Sequence, residues 1–229
     1  MPKHIGIVAC SAEGAALCYR TICLEGSRLM GKHAHPEVSM HTHPLSEYVK
    51  FIEPGDWAGV AALMLSSAEN LARAGADFLI CPDNTIHQAF EFVEHRSPQP
   101  WLHIAQEVTM EAKHCHYKRL AVLGTRFLME GPVYPEKLEA AGLEYRIPGQ
   151  KERERINLII FDELVNAQFT SRSLAYFTEV IRAMKQDGCD AVVLGCTEIP
   201  LLVTEESSPL PILDSTRLLA WAAVRKALS

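Results

Sequence analysis

Residues 191–200 read AVVLGCTEIP, and residues 78–87 read FLICPDNTIH. In each stretch a short apolar run is followed at once by a turn that carries small polar side chains. Such runs are typical of buried strands in parallel sheets, and ligands of α/β proteins bind just beyond the carboxyl ends of those strands. We therefore expect two strand ends to face one small substrate, one offering the thiol of Cys196 and the other the carboxylate of Asp83.

The same alternation of short apolar runs and longer helical patterns extends along the whole chain. Strands are predicted at residues 4–9, 37–42, 78–81, 101–104, 120–124, 143–146, 191–195 and 211–213. Helices are predicted at residues 13–31, 56–74, 85–93, 105–115, 129–141, 151–166, 172–187 and 215–227. This order predicts an α/β fold with parallel sheets flanked by helices.

Two helix-to-strand junctions repeat one another, which indicates a duplicated βα unit. Residues 72–77 and residues 185–190 each place a glycine where a helix ends, followed by an acidic residue and then the apolar run. We therefore predict two similar α/β lobes. The first lobe is expected to comprise residues 1–98 and 209–229, and the second residues 99–208.

Composition excludes several classes of function. The chain has 229 residues, of which 48% are hydrophobic and 22% are charged, and its formal net charge is −6 with no clustered basic stripe, which disfavours nucleic-acid binding. No apolar run is long enough for a membrane span, and the start lacks a signal-peptide pattern. The 7 cysteines are odd in number and contain no CxxC pair, which indicates a reduced, cytoplasmic set of thiols.

Polar residues just after predicted strands are the candidate substrate-binding groups. Amide groups at helix starts bind anions, so Asn84, Thr85, Thr125 and Thr197 are expected to hold a carboxylate, and Ser11 and His43 to line the site. The alternative is structural, because Asp, Asn and Thr are good helix N-caps and free cysteine is commonly buried. The correspondence between the two turns favours a functional interpretation.

Several short pieces, in this order along the chain, resemble the cofactor-independent aspartate/glutamate racemase family. They are Ile5-Gly6-Ile7, Asn84-Thr85 with His87, Gly124-Thr125-Arg126-Phe127, Phe161-Asp162-Glu163-Leu164, Gly195-Cys196-Thr197-Glu198-Ile199 and Leu213-Asp214-Ser215-Thr216. The resemblance implies two similar α/β lobes with the active site in the cleft between them, a homodimer and no cofactor. It also implies two acid/base groups, usually both cysteines, on opposite faces of the substrate α-carbon.

The chain departs from that pattern at the first acid/base position. Asp83 stands where the family has its first cysteine, and Cys81 lies too deep on the strand to replace it. A thiol has a reference pKa near ~8.5 and an aspartate near ~3.9, so the pair cannot exchange roles symmetrically unless burial raises the pKa of the carboxyl group. We therefore expect a slow or direction-biased racemase, or a different reaction.

A second departure concerns substrate charge. The resemblance implies an arginine in the loop after the second strand and a lysine in the second lobe, both of which bind acidic substrate side chains. Here the loop at residues 41–47 contains no arginine, and Asn166 stands in place of the lysine. A neutral or cationic amino acid, or a related small acid, is therefore expected in preference to aspartate or glutamate.

The sequence thus predicts a cytoplasmic, cofactor-independent amino-acid racemase or epimerase in which Cys196 and Asp83 are the catalytic residues. Its expected partner is a small amino acid, with no metal, nucleic acid or membrane. Two alternatives remain open. The protein is a decarboxylase-type lyase if the single thiol protonates a carbanion left by loss of carbon dioxide. It is an amino-acid-binding homologue if the chemistry has been lost.

Overall fold

A computed structural model describes all 229 residues, Met1–Ser229. The chain forms two compact units, one made of Met1–Ile104 with Thr216–Ser229 and the other of Ala105–Ser215. Each unit is built around a parallel sheet of 4 strands with helices, so the predicted α/β class is confirmed. With these boundaries, the strand Trp101–Leu102 belongs to the sheet of the first unit and the strand Ile212–Asp214 to the sheet of the second.

The first unit contains the four strands β1 (Ile5–Ala9), β2 (Val38–Thr42), β3 (Phe78–Ile80) and β4 (Trp101–Leu102). Its helices are α1 (Ala12–Met30), α2 (Leu45–Ile52), α3 (Trp57–Arg73) and α4 (Phe90–Glu94), with a 3-10 helix at Thr85–Ala89. Helix α5 (Ile104–His114) begins at the boundary between the units, and the C-terminal helix α11 (Ser215–Leu228) returns the chain to the first unit.

The second unit contains β5 (Arg119–Leu123), β6 (Glu144–Arg146), β7 (Ala191–Leu194) and β8 (Ile212–Asp214). Its helices are α6 (Arg126–Met129), α7 (Val133–Ala140), α8 (Gln150–Asp162), α9 (Ser171–Gln186) and α10 (Ile199–Leu202), with a 3-10 helix at Leu164–Asn166.

Both sheets have the same topology. The strand order is β2-β1-β3-β4 in the first sheet and β6-β5-β7-β8 in the second, and neighbouring strands run parallel. In such sheets the crevice for a ligand opens where the strand order reverses, beside the carboxyl ends of the two central strands. Ser11 and Asp83 follow β1 and β3, and Thr125 and Cys196 follow β5 and β7. The topology thus places the candidate residues at the carboxyl ends of the central strands, an edge of each sheet that we call the functional edge.

Each unit has its own apolar core. In the first unit, Ile5 and Ile7 of β1 pack in one cluster with Leu219 and Val224 of α11. The core of this unit is therefore formed by both β1 and the C-terminal helix. In the second unit, the central strands pack against apolar side chains of α8 and α9, among them Ile160 and Phe177. Burying each such side chain contributes about 1.5–3 kcal/mol, which keeps the strand ends in place.

Several helices differ from the sequence-based expectation. Helix α2 was not predicted, although its buried residues Tyr48 and Ile52 have helical spacing. The helix predicted over residues 129–141 begins only at Val133, as α7, because Gly131-Pro132 separates it from the short helix α6, which ends at Met129. The helix predicted over residues 85–93 starts as a 3-10 helix and becomes α-helical only at Phe90.

None of the seven cysteines forms a disulfide. No helix of the protein combines the length and the apolar character that crossing a bilayer would require.

Candidate active site

The first unit presents Ser11 and Asp83 at the ends of its central strands. The Ser11 hydroxyl accepts a hydrogen bond from the Gly14 N–H at 3.3 Å and so caps α1. The half-buried Asp83 accepts one from the Ile86 N–H through Oδ1 at 3.1 Å, which satisfies an amide in the first turn of the 3-10 helix. The structural alternative, in which the polar side chain of the turn holds the start of a helix, therefore applies at both positions. At Asp83 the oxygen involved is Oδ1.

His87 anchors the Asp83 turn. Its ring is 3% exposed, with Nδ1 at 2.6 Å from the Asp83 carbonyl oxygen and Nε2 at 3.4 Å from the Ile104 N–H. A carbonyl can only accept and an N–H can only donate, so this arrangement requires a neutral imidazole with its proton on Nδ1. His87 therefore supports the Asp83 turn, and its imidazole also ties that turn to the start of α5.

Asn84 and Thr85 follow Asp83 and are both buried, at 2% and 8% exposure. Cys81 lies beneath them with no exposed surface, and its thiol donates to the Asp83 carbonyl oxygen at 3.9 Å. Burial raises the pKa of the Cys81 thiol well above its usual value, and the charge of Asp83 raises it further. This thiol is neutral and enclosed, in agreement with the prediction that it lies too deep to take part in proton transfer.

Tyr48 is a polar residue near this turn that the sequence analysis missed. Its side chain is fully buried, and although Ser67 lies beside it, the phenol hydroxyl has no hydrogen bond of acceptable geometry. Burial raises the pKa of Tyr48 strongly, and Cys10, Cys81 and Asp83 add to the shift, so the phenol is neutral. The only signal in the sequence was its helical spacing with Ile52.

The predicted His43 forms part of a polar layer between β2 and α3. Its Nε2 lies 3.3 Å from the Ser66 hydroxyl, and its ring meets that of His41 edge-on at 5.0 Å. His41 is held in turn by Ser67 and Asn70, each at 3.0 Å. Burial, together with His43, lowers the pKa of His41.

In the second unit, a glycine brings Cys196 to the end of β7. The Gly195 N–H donates to the Leu123 carbonyl oxygen at 2.7 Å. A Cβ at residue 195 would lie 2.5 Å from Leu128 Cδ2 and 2.9 Å from that carbonyl oxygen. The two strand ends approach too closely for any side chain, and the chain turns there to place Cys196 and Thr197 at the sheet edge.

Cys196, Thr197 and Glu198 form one buried polar cluster, with exposures of 7%, 2% and 2%. The Cys196 thiol and the Thr197 hydroxyl each donate to Glu198 Oε2 at 2.9 Å. The other oxygen, Glu198 Oε1, is buried and has no hydrogen-bond partner. The sequence analysis gave Glu198 no role, although an acid two residues after the thiol was a visible signal.

Thr125 occupies the position in the second unit that Ser11 occupies in the first. It is 7% exposed, and its hydroxyl accepts a hydrogen bond from the Leu128 N–H at 3.2 Å, which caps α6. Both residues therefore position a helix start beside a candidate acid/base group.

This cluster holds a protonated thiol at the edge of the sheet. The Cys196 thiol donates to a carboxylate oxygen, and a neighbouring negative charge favours the thiol over the thiolate, so Cys196 is arranged to give up a proton. No group of three or more His, Cys, Asp or Glu side chains is arranged to hold a metal ion.

Comparison with known proteins identifies the family. The sequence profile described as Asp/Glu/Hydantoin racemase matches residues 8–223, which include every candidate site residue. The chain belongs to this family. The resemblance in the short motifs is therefore confirmed, and membership of the Asp/Glu/Hydantoin racemase family makes the protein an isomerase.

Individual relatives of this racemase-family chain are distant but cover its length. A broad specificity amino-acid racemase of Bacillus subtilis, RacX, is 25% identical over 83% of this chain and 81% of its own. A candidate Asp/Glu racemase from Yersinia pestis is 30% identical with a TM-score of 0.90, covering 99% of this chain and 100% of its own. An aspartate racemase homologue from Pyrococcus horikoshii is 26% identical with a TM-score of 0.85, covering 100% of both chains.

Proposed function

We propose that the protein is a cofactor-independent amino-acid racemase or epimerase that prefers neutral or cationic amino acids over aspartate and glutamate. The observation that carries this proposal is the Cys196 thiol, held 2.9 Å from a buried carboxylate at the functional edge of a parallel sheet. Support also comes from the Bacillus subtilis relative, which is described as a broad specificity amino-acid racemase.

In the proposed reaction, the Asp83 carboxylate removes the α-proton. The Cα–H bond breaks, an O–H bond forms on Asp83, and the electron pair passes into the substrate carboxylate as an enolate. The Cys196 thiol, which keeps its proton toward Glu198 in the structure, then delivers that proton to the opposite face of the carbon. Reaction in the reverse direction uses the two groups in exchanged roles, and proton exchange with water interconverts the two enzyme forms.

The α-carboxylate is proposed to be held by uncharged donors. Candidates are Asn84, Thr85 and Thr197, all buried beside the acid/base groups, and the segments that begin at Ser11 and Thr125. Donors aimed at the carboxylate oxygens stabilise the negative charge that develops there in the transition state.

The charges around the first sheet favour a neutral or cationic side chain. The segment that follows β2 runs from His43 into α2 and contains no arginine, and Lys50 on that helix is exposed and paired with Glu47 at 2.6 Å. Asn166 donates to the carbonyl oxygens of Phe161 and Asp162 at 3.3 Å, so it caps its own segment. An acidic side chain would meet Asp83 with no cation from these positions to balance it.

The test is a panel of amino acids incubated in heavy water and followed by proton NMR. The wild type should exchange the α-proton of several neutral or basic amino acids faster than that of aspartate, and Cys196→Ala and Asp83→Asn should reduce the exchange by about 100-fold or more. Cys115→Ala is the matched control, because this exposed thiol also faces a carboxylate, Glu111, at 3.5 Å.

The same variants separate the alternatives. Robust exchange of aspartate would contradict the proposed preference. Full activity of Cys196→Ala would contradict the proposed mechanism. Release of carbon dioxide from a substituted malonate without any α-proton exchange would identify a lyase, and binding of amino acids without exchange would identify a binding protein.

A further inference from the structure

The cluster at the end of β7 contains a carboxylate oxygen that the protein itself does not use. Glu198 is 2% exposed, and both of its hydrogen bonds, from Cys196 and Thr197, go to Oε2. Oε1 is buried without a donor, and none of the ion pairs in the structure involves Glu198.

An arrangement of this kind destabilises the folded protein. A buried carboxylate is tolerated when its charge is paired and its lone pairs are satisfied. Here a thiol and a hydroxyl satisfy one oxygen, but neither carries positive charge. The second oxygen, Oε1, is left without a donor, and the donor that a carboxylate oxygen binds most strongly is a cationic N–H group.

We propose that Glu198 is a substrate-binding residue whose Oε1 accepts a hydrogen bond from the α-ammonium group of the amino acid. This inference rests on the proposed function and adds a specific requirement to it, namely a free ammonium group on the substrate. Charge-assisted hydrogen bonds of this type are about 2.7–2.9 Å long.

The geometry of the cluster explains why this pairing would serve the reaction. One carboxylate would hold the thiol on Oε2 and the ammonium on Oε1, and the α-carbon is bonded directly to the ammonium nitrogen. Binding would therefore bring the α-carbon beside Cys196 Sγ, which is held 2.9 Å from Oε2. The same requirement excludes ring-closed hydantoins, N-acyl amino acids, 2-hydroxy acids and malonates, because none of them has an ammonium group at this position.

Glu198→Gln keeps the size of the side chain and removes its charge. Glu163→Gln is the matched control, because Glu163 lies in the same unit and also accepts hydrogen bonds from two hydroxyl groups through one oxygen, those of Ser173 and Thr170. Three quantities are measured for each protein: the melting temperature without ligand, its rise with alanine or lysine and with lactate, and the rate of α-proton exchange for the amino-acid panel.

Removing an unpaired buried charge should leave the melting temperature of Glu198→Gln equal to or above that of the wild type, although the substitution removes function. Alanine or lysine should raise the melting temperature of the wild type and of Glu163→Gln but not of Glu198→Gln, and lactate should raise none of them. The kcat/KM for exchange should fall by about 30-fold or more in Glu198→Gln, which is the loss expected when one partner of a buried charge pair is removed.

The inference is overturned if Glu198→Gln is stabilised by amino acids as strongly as the wild type, if lactate stabilises the wild type as well as alanine does, or if no amino acid stabilises it. A melting temperature that falls further in Glu198→Gln than in Glu163→Gln would mark Glu198 as a structural carboxylate and would also overturn it. Stabilisation by amino acids that depends on Glu198, without any α-proton exchange, would refute the proposed racemase while leaving the ammonium site intact. Equal rates of α-proton exchange in the wild type and in Glu198→Gln would refute the ammonium site and leave the proposed racemase intact.

Discussion

Replacing Gly195 by alanine should damage both stability and activity, because this residue joins the second sheet to Cys196. The added Cβ would lie 2.5 Å from Leu128 Cδ2 and 2.9 Å from the Leu123 carbonyl oxygen. Leu128 can adjust, but the carbonyl belongs to the backbone of β5 and already accepts the Gly195 N–H at 2.7 Å. Relief therefore requires the ends of β5 and β7 to separate.

The expected cost follows from these contacts. Overpacking of a tight interior costs about 1–3 kcal/mol, and weakening the hydrogen bond between the strand ends adds about 1 kcal/mol. The sum of about 2–4 kcal/mol corresponds to a drop in melting temperature of about 4–16 °C for a chain of this size. A shift of the strand end also moves the Cys196 thiol, and a displacement of about 1 Å in a catalytic group costs about 100-fold in rate.

The assay combines thermal unfolding, followed by circular dichroism, with α-proton exchange. Gly149→Ala is the control: a Cβ there would meet the carboxylate end of Glu152, which can move, and φ of −58° with ψ of 164° suits any residue. Its stability should stay within about 0.5 kcal/mol of the wild type. A Gly195→Ala variant that matches this control in both measurements would refute the argument that the two strand ends leave no room for a side chain.

Three further predictions concern the first unit. Tyr48→Phe removes a buried hydroxyl that has no hydrogen bond, so urea unfolding should show a free energy of unfolding about 1 kcal/mol higher than that of the wild type. The control Tyr134→Phe removes a hydrogen bond to Ser215 and should lower the free energy of unfolding by about 1 kcal/mol. A lower stability of Tyr48→Phe would contradict this prediction. His87→Phe removes the imidazole hydrogen bonds to the Asp83 carbonyl oxygen and the Ile104 N–H, so it should cost about 2–4 kcal/mol in the free energy of unfolding and slow α-proton exchange. A variant as stable as wild type would show that neither bond matters. The pKa of His41 is lowered in the folded state, so the unfolded chain binds a proton at His41 more readily than the folded chain does. The contribution of neutral His41 to stability is therefore present above a pH of ~6.5 and is lost as the pH falls below that value. His41→Gln should show a shallower loss of stability between neutral and mildly acidic pH, and an unchanged slope would contradict this prediction.

Much of the architecture was predictable because burial leaves a local imprint. A strand that is covered on both faces carries a continuous apolar run, as β3 and β7 do. All eight predicted segments, from residues 4–9 to residues 211–213, coincide with observed strands, including the half-exposed edge strands β2 and β6, which have no such run. The residue after such a run lies at the functional edge of a parallel sheet whatever the remainder of the fold does. For that reason Asp83 and Cys196 could be selected as candidates before any coordinates were considered.

Features that depend on contacts distant in sequence could not be predicted in this way. The sequence identified Asp83 as a polar residue after a strand, but the roles of His87 and Tyr48 depend on the partners that packing supplies or withholds, and on burial that no local pattern reports.

The sequence by itself determined the α/β class, the racemase family and the position of the thiol, because apolar periodicity and short motifs are properties of neighbouring residues. Only the tertiary structure decided that Glu198 is buried with one oxygen bonded to Cys196 and the other unused. The physical reason is that the free energy of a carboxylate depends on its surroundings in space, and those surroundings exist only when the chain has folded.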